Sequence, residues 1–146
     1  GFDRTILLLS VERKEIVSEL HGFHTNIYTL CFSEAYQVLL VGCFETYICS
    51  YELSEFCDLT EKGRFKGHRS HVTALLALQN TPIVLTVQDE GTMKLWDIRD
   101  LTCFQTLAAP SNIVFRSILQ MENKICLVGS KLFVFAFESK RRRTIV

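Results

Sequence analysis

The chain is 146 residues long with a mass of 16.8 kDa, the size of one domain or part of one. Sixteen Lys and Arg balance sixteen Asp and Glu, which excludes a generally basic nucleic-acid binder and an acidic tail. With 48% hydrophobic residues, two Pro and seven Gly, disordered, collagen-like and low-complexity classes are excluded as well.

Short apolar blocks rich in Val, Ile, Thr, Phe and Tyr predict strands in chain order. They cover residues 5–10, 16–20, 27–32, 38–41, 47–51, 72–78, 83–87, 92–96, 103–107, 114–119, 125–128 and 132–137. Val11, Ile16 and Leu20 would also suit a short helix, but no N-cap precedes them, so a turn and a strand are expected there. No apolar run nears the roughly 20 residues that span a bilayer, and no membrane partner is expected. The opening Gly1-Phe2-Asp3-Arg4 has neither a Met nor a basic leader, so the chain is expected to be cut from a longer one.

The strand ends repeat. Leu9, Tyr51, Trp96 and Phe137 close similar segments at separations of 42, 45 and 41 residues. A period near 40–45 with four strands per unit is the mark of propeller blades. The fold class expected is therefore all-β, a partial β-propeller of about three and a half four-stranded blades. Residues 1–20 read as the outer strands of a preceding blade, 21–62 and 63–107 as blades, and 108–146 as an incomplete one. An open arc exposes sheet faces and edges, so residues 1–146 expressed alone should associate or aggregate.

One unit carries a specific pattern: Gly67-His68, Val72-Thr73-Ala74-Leu75, Leu85-Thr86, then Asp89-Glu90-Gly91 and a closing Trp96-Asp97. It resembles the WD-repeat family. The preceding unit keeps Gly22, His24 and Tyr51-Glu52, and the following one ends in Phe137-Glu138. The resemblance implies a buried hydrogen-bonded set of His68, Thr86, Trp96 and a turn carboxylate. That carboxylate is Glu90 by spacing, or Asp89 one residue earlier. The same residues have a complete structural explanation, so a catalytic His-Asp-Thr set is not expected.

The resemblance also implies a non-catalytic scaffold for protein partners, with the remaining blades supplied by the same or another chain. Its loop face would present Phe23, His24, Thr25, Cys43, Phe44, Glu45, Arg69, Ser70, Gln88 and Asp89. Trp96, Phe32, Tyr51, Phe133, Phe135 and Phe137 are expected in the core, whereas Phe23, Phe44 and Phe56 adjoin loop signals and are candidate exposed aromatics. The stretch Trp96-Asp97-Ile98-Arg99 with Cys103, Gln105 and Thr106 is similar to repeats of large, divergent ciliary and axonemal proteins of this family.

Lys140, Arg141, Arg142 and Arg143 form a basic run; without it the chain has 12 basic against 16 acidic residues. The run is read as a solvated loop, with nucleic-acid or phosphoinositide binding as the alternative. An enzyme-associated propeller is the other alternative, but phosphate-loop and hydrolase motifs are absent. The six cysteines form no CxxC pair and lie mostly within apolar segments. They predict free thiols in an intracellular, cytoplasmic or cytoskeletal setting, and no metal or cofactor.

Overall fold

A computed structural model of the chain describes residues 4–108 and 114–129, and the backbone of 132–136. Within them lie thirteen strands: β1 (Ile6–Ser10), β2 (Glu15–Leu20), β3 (Ile27–Ser33), β4 (Val38–Cys43), β5 (Tyr47–Leu53), β6 (Leu59–Lys66), β7 (Val72–Ala77), β8 (Ile83–Gln88), β9 (Met93–Asp97), β10 (Thr102–Leu107), β11 (Phe115–Met121), β12 (Lys124–Gly129) and β13 (Leu132–Ala136). They pair antiparallel in four separate sheets: β1-β2, β3-β4-β5-β6, β7-β8-β9-β10 and β11-β12-β13. The sheets succeed one another as blades and do not close.

β6 is the strand that composition does not announce. Its sequence, LTEKGRFK, is mostly polar because it is the outermost strand of its sheet. Only Phe65 plunges inward, and it is fully buried. The blade boundary expected after residue 62 therefore falls inside β6, and the sheet continues to Lys66. Residues 11–20 resolve as the expected turn and strand.

Three apolar clusters fill the joints between sheets. Val38, Leu40, Ile48 and Phe65 of the second sheet meet Val72, Leu75, Val84, Trp96 and Ile98 of the third. Leu85, Val87, Met93 and Leu95 pack with Phe115, Ile125 and Leu127 of the fourth. Ile6 joins Val41, Cys43 and Cys49, with Phe23 and Tyr51 against them. Phe32, expected in the core, is 36% exposed instead. It alternates with half-buried Cys31 along β3, so a period of two puts it on the open face.

Two irregularities recur in register. The strands carrying Leu9, Tyr51 and Trp96 slip at equivalent places, between Leu8 and Leu9, between Ser50 and Tyr51, and opposite Trp96 between Cys103 and Gln105. Tyr51 and Trp96 also pair with matching residues, Leu39 and Val84, the second residues of β4 and β8. These three positions are thus equivalent, as the spacing predicted; Phe137 lies outside the described residues. Each inner strand begins with a bulge as well, leaving Tyr28, Thr73 and Arg116 unpaired in the ladder. A bulge re-aims the side chain it frees.

Candidate interaction site at the loop end of the blades

Thr86 and Gln88 sit two apart on β8 and therefore face the same way. That face is the joint against Trp96 and the loop carrying His68. Trp96 Nε1 donates to Thr86 Oγ1 at 2.8 Å, and Thr86 Oγ1 bonds His68 Nε2. On the other ring edge His68 Nδ1 meets Gln88 Oε1 at 2.8 Å. The Arg69 backbone N–H donates to the same oxygen at 3.3 Å, and Gln88 Nε2 donates to Glu90 Oε1.

Hydrogen bonding fixes the direction of this relay. Gln88 Oε1 only accepts, so His68 donates from Nδ1, and Trp96 Nε1 only donates, so Thr86 Oγ1 accepts from it and its hydroxyl donates a hydrogen bond to the bare Nε2 of a neutral His68. The imidazole is neutral in this arrangement. Burial also pushes its pKa below the usual histidine value. An unfolded chain would take up a proton first, so the stability His68 contributes is complete above the ordinary value near 6.5 and is lost as pH falls below it. NMR titration of the imidazole nitrogens should accordingly show His68 protonating below pH 6.5. Protonation at or above that pH would refute the neutral relay.

The carboxylate expected here is thus replaced by an amide. Asp89, the next residue, points away: its carboxylate accepts from Ser70 Oγ and lies 3.7 Å from His71 Nδ1. Glu90 reaches the network only through Gln88.

In the second sheet the same positions are apolar. Register equates Cys43 with Gln88 and Ile27 with Val72, and so Phe23 with His68 and Val41 with Thr86. Phe23 and Tyr51 meet edge to face, their centroids 6.3 Å apart, beside Val41 and Cys43. The counterpart of His68 is therefore Phe23 and not His24, one residue from the expected match. Exchanging all polar partners together leaves none unsatisfied, which is why the joint tolerates it. Burial raises the Cys43 thiol to about 11, so it is an apolar filler and not a thiolate.

At the same end, three rings gather between the second and third sheets. His71 stacks on Phe44 at 4.5 Å and on Tyr28 at 5.3 Å, and Tyr28 lies 5.7 Å from Phe44. Tyr28 and Phe44 are each 52% exposed. The β3 bulge frees Tyr28 to lean on His71, and Asp89 in the β8–β9 turn backs His71 from behind.

Comparison with solved structures settles the fold. The chain superposes on the WD40 repeats of RRP9 with a TM-score of 0.76 over 94% of its length and 46% of that chain, at 18% identity. It matches U3-55K with a TM-score of 0.73 at 17% identity, covering 47% of that chain. The chain has the fold of WD40-repeat β-propellers. Its sequence is 33% identical over 55 residues to WD repeat-containing protein 18 of Homo sapiens, 38% of this chain and 13% of the relative. It is 27% identical over 131 residues to Pre-mRNA-splicing factor cwf17 of Schizosaccharomyces pombe, covering 88% of this chain and 38% of the relative. The chain thus spans well under half of these relatives, and no protein-family model matches it.

The expected loop face divides. His24, Phe44 and Arg69 are exposed, and Thr25, Glu45, Ser70 and Asp89 are half-buried at the loop end. Gln88 and Cys43 are buried at 2% and 5% exposure, and half-buried Phe23 joins the core, so these three do not present themselves. Of the three phenylalanines expected near loops, Phe44 and, at the opposite hairpin tip, Phe56 at 83% are exposed. Tyr28 and His71 belong to the site and were not expected in it; the β3 bulge that recruits Tyr28 has no sequence signature. Residues 140–143 lie outside the described residues, as do the side chains of Phe133 and Phe135.

Proposed function

We propose that the chain is a non-catalytic protein-interaction scaffold whose recognition surface is the Tyr28–Phe44–His71 cluster. The observation that carries this reading is the pair of half-exposed rings seated on a fixed joint between two sheets. Rigid aromatics held by a scaffold are the residues that anchor protein interfaces. The richest polar set, around His68, is buried and self-satisfied, so it offers a substrate neither a free base nor a nucleophile.

The same proposal includes further blades, from this or another chain. They would cover the apolar side chains left exposed on β1 (Leu7, Leu9), β3 (Leu30, Phe32) and β11–β12 (Leu119, Met121, Val128). An intracellular setting fits the six free cysteines. The splicing-factor relative favours membership of an RNA-processing assembly over the axonemal setting suggested by residues 96–106. Nucleic-acid or phosphoinositide binding through residues 140–143 would show itself as affinity that falls steeply with salt.

The test is a Tyr28→Ala, Phe44→Ala double variant of the intact protein. The variant should stay folded, with a modest loss of stability, because both rings are half in solvent but share the stack on His71. Affinity for protein partners that co-purify with wild type should fall about tenfold or more, as expected for lost aromatic anchors. Unchanged partner binding in a folded variant would refute this surface.

A further inference from the structure

We propose that the cleft beside this cluster receives an acidic side chain that neighbours an aromatic one in a partner's peptide. The inference rests on the scaffold reading above and names the chemistry of its ligand. The cleft is a shallow, open depression of about 370 Å³ lined by Arg4, His24, Thr25, Asn26, Tyr28 and Phe44. Its wall is built: the Phe44 N–H donates to the Asn26 carbonyl oxygen at 2.9 Å, which ties the β4–β5 turn to the β2–β3 loop.

Two features point to an anion. Arg4 spends one N–H on the His24 carbonyl at 2.7 Å and has no carboxylate partner among the described residues. Arg13, Arg64 and Arg99, by contrast, each face a carboxylate, from Glu15, Glu61 and Asp97. A guanidinium carries five donors in a fork that fits a carboxylate, so Arg4 keeps the capacity to bind one. Thr25 Oγ1 is buried with no hydrogen-bond partner. A buried hydroxyl left unpaired is costly, and a small opening of the Thr25 loop would let a ligand carboxylate in the cleft satisfy it.

The remaining wall selects a ring. Tyr28 and Phe44 present half-exposed aromatic faces next to the cation, so an aromatic side chain adjoining the acid can stack there. A cationic ligand would meet Arg4. A nucleic acid would bring a line of phosphates past Glu45, Asp89 and Glu90 on a chain of zero net charge. A short acid–aromatic segment of a protein fits all of these terms.

The experiment is an amide-resolved NMR titration of the intact protein with acetyl-Glu-Phe-amide, with acetyl-Gln-Phe-amide and acetyl-Glu-Ala-amide as controls. Saturable shifts are expected at Thr25, Asn26 and Phe44 with a Kd of about 1 mM or tighter, and weaker binding by about tenfold for either control. Arg4→Gln should erase the Glu-over-Gln preference while keeping the preference for Phe. No saturable shift, equal binding of the Glu and Gln peptides, or stronger shifts with oligouridylate would each overturn the proposal. If the double alanine variant loses its protein partners while the acid–aromatic peptide does not bind, the scaffold reading stands and this assignment of its ligand falls.

Discussion

Trp96→Ala should lower the unfolding free energy by about 3–5 kcal/mol, the range for truncating a fully buried large aromatic. Trp96 is 1% exposed and packs on Phe65 with ring centroids 5.3 Å apart. Its neighbours Val38, Leu40, Val84 and Ile98 belong to two different sheets, so the cavity would open at a joint and not within one blade. Thr86 would also lose the indole N–H that fixes its hydroxyl direction. Denaturant melts of the intact protein test this. A loss below about 1 kcal/mol would show that the joint collapses to refill the space, and that Trp96 does not hold the second and third sheets together.

Thr86→Val should cost about 2–6 kcal/mol despite matching the side chain's shape, because two buried groups lose partners at about 1–3 kcal/mol each. Thr86 is fully buried, and its single oxygen accepts from Trp96 and donates to His68. With a methyl there, the indole N–H and the His68 Nε2 lone pair face hydrocarbon. Coupling provides the sharper readout. In a His68→Phe, Thr86→Val double variant, which imitates Phe23 and Val41 of the neighbouring sheet, the loss should be smaller than the sum of the single losses. Additive losses would mean that the two side chains do not act as one network.

Much of the architecture was legible because it follows from period and composition. Alternating Val, Ile, Leu and Phe in short blocks gave twelve of the thirteen strands, and the recurrence of Leu9, Tyr51 and Trp96 gave their grouping. β6 escaped because an outermost strand needs few apolar residues, and LTEKGRFK reads as a loop. The site was only partly legible. Thr86, His68 and Trp96 were identifiable from spacing, but Gln88 took the carboxylate's place because strand alternation aligns it with Thr86, whereas Asp89 already lies in the turn. Phe23 was displaced from its role by His24, a more conspicuous residue one position away. Tyr28 and His71 were invisible because their meeting depends on a one-residue slip in pairing.

That slip reaches beyond the ring cluster. Tyr28 grips the following sheet by stacking on His71, and Thr73 grips its own successor through a hydroxyl 2.7 Å from the Phe115 carbonyl oxygen. Arg116 occupies the third such post, exposed and charged. The same slip thus sets unlike groups at equivalent points of successive sheets, and two of them reach the next sheet, one by a ring stack and one by a hydrogen bond. Two neighbouring joints fastened by such different contacts cannot trade partners without losing one of them.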